Sequence, residues 1–298
     1  LLCLSFLLPL GAQEKQTLLY QTGFENGAEV VPIDASRPDS DDDVRDARGP
    51  GLEGIKLYYE GGDATMRWGR IVPEPGNPTN HILHFWLGKA NAKNASKGRI
   101  QADLKGLQGG VKTFACSMRL LLPPAMEVLQ TYPSKITWLT LMEVWNNAPL
   151  KPYPFRVTVG LHKESKESGP LHFHVDAQDI DQTDLKKPKF ITLWTNLDKT
   201  LEVPFGKWMT LEYELVEGDR EGGRFRMAVT PEGGKRRVLF DITNHTHHTK
   251  DPAPDGFSAW NPLKLYTSRQ VVEFMQGQGK ALEAWWDDLE ISARRAGE

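Results

Sequence analysis

The stretch Gly98-Arg99-Ile100-Gln101-Ala102-Asp103-Leu104 decides the fold. Alternate side chains of a β-strand point to opposite faces. Arg99, Gln101 and Asp103 therefore share one face, and Ile100, Ala102 and Leu104 share the other. One face suits a core and the other a polar medium, the pattern of a half-buried antiparallel strand. The same period recurs outward along the chain. Phe114, Cys116, Met118 and Leu120 fall on one face; Phe155, Val157, Val159 and Leu161 alternate with Arg156 and Thr158; Leu211, Tyr213 and Leu215 alternate with Glu212 and Glu214.

This periodicity predicts strands over 54–60, 65–71, 81–87, 98–104, 111–121, 136–145 and 154–161. More are predicted over 171–176, 189–194, 208–217, 223–230, 236–242, 262–266 and 283–291. Gly61-Gly62, Pro123-Pro124, Gly222-Gly223 and Gly233-Gly234 supply the turns between them. Helix is expected to be scarce, with one short piece around Pro124–Thr131. Strands in such number bury one face of each of two stacked sheets. The expectation is one all-β domain over residues 13–298, an antiparallel jelly-roll β-sandwich with a concave polar groove for an extended polymer. The closing segment Ala284-Trp285-Trp286-Asp287-Asp288-Leu289-Glu290-Ile291 reads as a strand that seals the sandwich, with Trp285, Asp287, Leu289 and Ile291 on one face.

The 298 residues carry 36 basic and 39 acidic side chains and a formal charge of -3. That balance gives no global field to draw in nucleic acid, and no nucleic-acid partner is expected. Residues 1–12 read as a truncated signal peptide, an apolar stretch followed by Gly11-Ala12. The run is too short to span a bilayer, so no stable transmembrane insertion is expected. The localisation expected is secreted or periplasmic, and the protein a monomer. Without that segment Cys116 is the one cysteine, which rules out an intramolecular disulfide. Asp34–Asp46 holds six aspartates with Arg37 and Arg45. It reads as a solvated loop or a structural calcium site built from oxygen ligands. No other cofactor is required.

Several polar faces carry groups suited to sugar chemistry. In Leu139-Thr140-Leu141-Met142-Glu143-Val144-Trp145-Asn146, Glu143 and Trp145 share a face and Asn146 follows at the strand end. A carboxylate exchanges protons with a glycosidic oxygen, and an indole stacks on a sugar ring. Leu139 and Leu141 fall on that face too, so an inward-packed strand is the alternative. Arg99 offers a bidentate partner for a carboxylate, Gln101 binds hydroxyls, and Asp103 is placed to orient Arg99. Lys264 and Tyr266 share a face in Leu263-Lys264-Leu265-Tyr266, where a cation beside the phenol favours proton transfer. His172 and His174 point together with Asp176, as a supported base or a metal site. His245, His247 and His248 form a second imidazole group without a dedicated fourth ligand. His81 and His84 lie on opposite faces, so at most one reaches a groove. Asn94 and Asn244 open N-x-Ser/Thr sequons.

From about residue 17 to 291 the arrangement resembles the concanavalin-A-like jelly rolls of polysaccharide lyases and related glucanases. It is most similar to alginate-lyase-like and glucuronan-lyase-like enzymes. Arg99-Ile100-Gln101-Ala102-Asp103-Leu104 resembles their arginine strand, and Leu263-Lys264-Leu265-Tyr266-Thr267-Ser268-Arg269-Gln270 their late lysine–tyrosine strand. Met142-Glu143-Val144-Trp145-Asn146 takes the place of the central strand, with Glu143 where the motif has glutamine and Trp145 where it has histidine. The resemblance implies β-elimination on a uronate-containing polysaccharide or oligosaccharide. Arg99 and Lys264 would neutralise the sugar carboxylate, and Tyr266, with His172, would move the proton. Gln101, Asp103, Trp145, Asn146 and His174 would complete the binding face. Two other readings stand beside it: a glycoside hydrolase using Glu143 with Asp103 as its opposing carboxylate, and a noncatalytic carbohydrate-binding protein.

Overall fold

The computed structural model describes residues 17–25, 27–46, 52–90, 97–107, 110–148 and 151–295. The signal-like residues 1–12 and the Asn94 sequon lie outside them. The strands are β1 (Thr17–Thr22), β2 (Glu29–Pro32), β3 (Asp42–Arg45), β4 (Gly54–Tyr59), β5 (Arg67–Glu74) and β6 (Asn77–Leu87). Next come β7 (Lys97–Lys105), β8 (Val111–Leu121), β9 (Leu139–Asn146), β10 (Phe155–His162), β11 (His172–Asp181) and β12 (Lys189–Glu202). The last are β13 (Trp208–Val216), β14 (Arg224–Pro231), β15 (Arg237–Thr243), β16 (Phe257–Asn261), β17 (Leu263–Ser268) and β18 (Leu282–Arg295). One α-helix, α1 (Arg269–Gly277), and a 3-10 turn over Pro124–Thr131 complete the chain.

Every strand pairing is antiparallel. One layer runs β2–β3–β4–β7–β17–β9–β10–β11–β12, with β16 continuing the line of β17 along β9. The other runs β5–β6–β18–β8–β13–β14–β15, with β1 also on β18. A bridge from Phe257 to Val111 joins the layers into a nearly closed sheet. The result is an all-β jelly roll.

The core lies between the layers. Ile100 and Ala102 of β7, Met118 and Leu120 of β8, Val157 and Val159 of β10, and Leu211 and Leu215 of β13 are all buried there. Each of the larger of these side chains (Ile, Leu, Val and Met), fully removed from water, contributes about 1.5–3 kcal/mol. Cys116 belongs to this core, and burial pushes its thiol well above the ordinary range, which leaves it unreactive.

Two β-bulges reset the alternation that the sequence carries. Between β9 and β10, Val159 pairs with Met142 but Gly160 pairs with Thr140, so β9 holds one extra residue. Leu139, Leu141, Met142 and Val144 consequently all face the core, while Glu143 and Trp145 stay on the opposite face. Gly160 sits where β9 bows towards β10: a Cβ there would meet the Leu139 carbonyl oxygen at 2.6 Å. The second bulge lies in β18, where Asp287 pairs with Arg119 but Glu290 with Ser117, and Asp288 has φ 47°. Trp286 therefore shares the core with Leu289 and Ile291, and the face expected for Trp285 is corrected. Trp285 packs outside, beside Ile82, Leu121 and Trp208. As expected, the segment closes the fold.

Helix α1 was not expected. Its signals are local: the Ser268 side chain accepts a hydrogen bond from Val271 N, and Val271, Val272 and Met275 form its buried face. Gly98 admits the helix, since a Cβ there would stand 3.1 Å from Val272 and 2.8 Å from Leu87. No helix of the described residues is long and apolar enough to cross a membrane. The aspartate run is not a plain loop but carries β3. Asp41 pairs with Lys56 at 2.8 Å, Asp43 with Lys105 at 3.2 Å, and Asp42 accepts from the Tyr59 hydroxyl at 2.5 Å.

Candidate functional site

The polar face of the first layer is built by strand register. Tyr266 of β17 pairs with Arg99 of β7 on one side and with Thr140 of β9 on the other. Lys264 pairs with Gln101, and Trp145 and Glu143 of β9 pair with Arg156 and Thr158 of β10. The period of two then brings Arg99, Tyr266, Lys264, Glu143, Trp145 and Arg156 onto one surface, as expected for all but Arg156. Two hollows share Arg99, Glu143 and Trp145 as their common wall. One, of about 250 Å³, also takes in Lys97, Tyr266, Arg156 and Phe190; the other, of about 300 Å³, takes in Gln101, Asp103 and Asn261. A further hollow of about 260 Å³ on the opposite layer is framed by charges already paired, such as Arg236 with Glu212 at 2.7 Å. It offers no comparable convergence of unlike groups.

Tyr266 stands among cations. The Arg99 guanidinium lies 4.3 Å from its ring centroid, the Lys264 ammonium 5.2 Å and the Lys97 ammonium 5.6 Å. Trp138 supports the ring at 4.7 Å. Arg99 pairs with Glu60 at 2.9 Å, and Lys97 reaches the same carboxylate at 3.7 Å. Arg156 bridges Glu143 at 2.8 Å and the Gln178 side chain at 2.9 Å, and lies 4.3 Å over the Phe190 ring. Arg156, Lys97, Glu60 and Phe190 were missed in the sequence. Arg156 shows the period-two signal, but its period alone does not say which layer β10 joins.

Glu143 is a clamp for cations rather than a proton donor. The residue is 4% exposed, and its carboxylate is held by both Lys264 and Arg156. Burial alone would raise its pKa, but Lys264, Arg156 and Arg99 outweigh burial and hold it down to about 2. Burial pushes the Lys264 ammonium down to about 8, with Glu143 pulling the other way. Both groups are therefore charged at neutral pH. This corrects the assignment of Glu143 as a catalytic acid, because a carboxyl that stays ionised has no proton to give.

Three further expectations are corrected. Asp103 does not orient Arg99: it accepts from Gln101 at 2.7 Å and from Asn261. Burial raises the Asp103 carboxyl, against the lowering effect of the Gln101 bond and Lys264. Asn146 is fully buried on the core side and donates to Glu217 at 2.5 Å, so it holds the fold and does not line the groove. His172 does not join Tyr266. The register runs Tyr266–Thr140–Gly160–His174 across three strand spacings of about 4.8 Å, which puts His174 about 14 Å from Tyr266 along the sheet. His172 lies farther along β11, with Nδ1 3.4 Å from the Leu201 carbonyl oxygen.

The remaining histidines are placed as follows. His81 and His84 both sit on β6 in the other layer, His81 against Glu25 and His84 against Glu283, so neither reaches the groove. In the 245–248 loop, His247 Nδ1 lies 3.0 Å from the His248 carbonyl oxygen and His248 Nδ1 accepts from Lys250 N. Among the described residues, three potential metal donors gather instead at His162, His174 and Asp176. Chemically, the cleft brings together the edge of an indole, an exposed phenyl ring, a phenol and a surplus of positive charge.

No family model and no curated protein matches the chain. Among solved structures it is similar to an endo-β-1,4-glucuronan lyase from the fungus Trichoderma reesei, at 12% identity and a TM-score of 0.47, over 82% of this chain and 92% of that one. It is similar to a PL-14 alginate lyase from Aplysia kurodai at 9% identity and a TM-score of 0.47, over 80% and 90%. It is also similar to an exolytic PL7 alginate lyase from Zobellia galactanivorans at 8% identity and a TM-score of 0.45, over 91% and 96%. These structures are polysaccharide lyases with jelly-roll folds.

Proposed function

We propose that this chain is an exported polysaccharide lyase that cleaves a uronate-containing glycan by β-elimination, with Tyr266 as the proton-transfer group. The observation that carries the reading is the setting of Tyr266, a phenol with Arg99, Lys264 and Lys97 around its ring in a cleft walled by Trp145 and Phe190. The apolar stretch Leu1–Leu10 supports export.

The rise of negative charge on the uronate carboxylate as the C5 proton leaves is the demanding part of elimination. Lys97 and Arg99 supply positive charge on that side of Tyr266. The deprotonated Tyr266 oxygen takes the C5 proton, the C5 electron pair forms the C4–C5 double bond, and the C4–O4 bond breaks. Tyr266 then returns the proton to O4. With Trp145 in place of an imidazole, one group performs both transfers. The two departing groups must then leave from the same ring face, as they do in β-linked glucuronate or mannuronate. Trp145 and Phe190 serve as platforms for sugar rings.

The test is the ultraviolet absorbance of the unsaturated uronate product during incubation with uronate and neutral polysaccharides, with reducing ends followed in the same samples. Absorbance should grow on an acidic glycan and fall by about 10²–10⁴-fold in Tyr266→Phe, while oligosaccharide affinity is kept. New reducing ends without absorbance would mean hydrolysis. Binding without either signal on every uronate polymer would leave a carbohydrate-binding protein.

A further inference from the structure

The polar face of the first layer carries a second constellation about 14 Å along the sheet from Tyr266. His162 of β10 and His174 and Asp176 of β11 present donor atoms within 4.8 Å of one another. The register explains the convergence. His162 pairs with His172, and His174 pairs with Gly160. Because Gly160 has no side chain, the His162 ring has room to lean across and stack on His174, with centroids 3.5 Å apart and planes at 15°. His174 Nε2 lies 2.8 Å from Thr195 Oγ1 and 3.5 Å from the Asp176 carboxylate.

Two facts make this a poor resting place for ordinary surface histidines. Face-to-face imidazoles repel if both are protonated, and the His162 ring is partly buried against its neighbour. No hydrogen bond among the described residues holds the His162 ring nitrogens, although half-buried polar groups generally find partners.

We propose that His162, His174 and Asp176 form a binding site for a divalent first-row transition ion, with zinc as its working probe. Two imidazoles and one carboxylate match the ligand preferences of such an ion, and three protein ligands leave a fourth position open. That position faces the groove, because Asp176 keeps 24% of its side chain exposed there. Metal–ligand bonds of about 2.0–2.2 Å require the donor atoms to close in by roughly 1 Å, within reach of small side-chain rotations. The site is independent of the elimination reading, being three strands from Tyr266.

The experiment is a zinc titration of the full chain after dialysis against a chelator, read by competition with a chromophoric chelator and by bound metal per chain. One zinc per chain is expected. His162→Gln and Asp176→Asn should each weaken it by more than about tenfold, with unchanged circular dichroism. His247→Gln, which removes an imidazole from the 245–248 loop, and Tyr266→Phe should leave it intact. Absence of binding tighter than about 100 µM would overturn the proposal. So would stoichiometric binding that survives both site variants, or that disappears in His247→Gln.

Discussion

Glu143 holds the centre of the groove at the level of single residues. It offsets Lys264, which is 1% exposed, and Arg156 at once. Removing one partner of a buried ion pair leaves an uncompensated charge and costs about 3–5 kcal/mol. Glu143→Ala should therefore lose about that much in denaturant unfolding. Glu143→Leu combined with Lys264→Met should lose much less than the two single losses added together. The pH dependence follows from the same pairing. The folded carboxyl sits at about 2, below its unfolded value near 4.5. Between those limits the unfolded chain binds more protons, so stability rises with pH there. The contribution of Glu143 is full above about pH 4.5 and is lost as pH falls through about 2. Unfolding free energy measured across that window should show a Glu143 component that Glu143→Gln removes. An identical acid slope in wild type and variant would mean that Glu143 is not held down by its cations.

The strand is the scale at which the sequence was most legible, and the bulge the point at which it ceased to be. Arg99, Gln101 and Asp103 opposite Ile100, Ala102 and Leu104 were read correctly because β7 is regular throughout its pairing with β17 and β4. Lys264 and Tyr266 followed for the same reason. Leu139, Leu141 and Trp285 were placed on the wrong faces because one inserted residue shifts the period by one, and nothing in the local composition marks the insertion. Asn146 was misread because residue type suggests a polar face, whereas its position in β9 turns it to Glu217. His162 went unnoticed because its partner comes from register across β10 and β11, not from neighbours in sequence. The β9 bulge depends on Gly160. A methyl group there meets the Leu139 carbonyl oxygen at 2.6 Å, and backbone has little freedom to yield. Gly160→Ala should destabilise the protein by about 1–3 kcal/mol and, by displacing Thr140 beside Tyr266, lower turnover as well. Gly277→Ala, where nothing lies within 4 Å of the added Cβ, is the control and should leave turnover unchanged. A Gly160→Ala chain with wild-type stability would show that the two strands are not in close backbone contact.

At the scale of the whole molecule, charge is distributed against its average. The chain carries a formal charge of -3, yet the groove around Tyr266 sets four cations, Lys97, Arg99, Arg156 and Lys264, against two carboxylates, Glu60 and Glu143. Two positive charges are therefore in excess where an acidic polymer would lie, and the fold confines them to one face of one layer. Long-range attraction to the rest of the surface is weak, so affinity for a polyuronate should come from this local surplus. Ions screen such attraction over about 10 Å at 0.1 M salt and about 3 Å at 1 M. Binding of a uronate oligosaccharide, measured calorimetrically with the Tyr266→Phe protein so that the ligand survives, should weaken several-fold between these two salt concentrations. A neutral β-glucan oligosaccharide of the same length should bind more weakly and with little salt dependence, since only the Trp145 and Phe190 platforms would hold it. Replacing Lys97 with methionine should reduce the salt slope for the uronate and leave the neutral sugar unaffected. Equal slopes for the two ligands would mean that the groove reads sugar rings by stacking alone and that its cations serve only to balance Glu60 and Glu143.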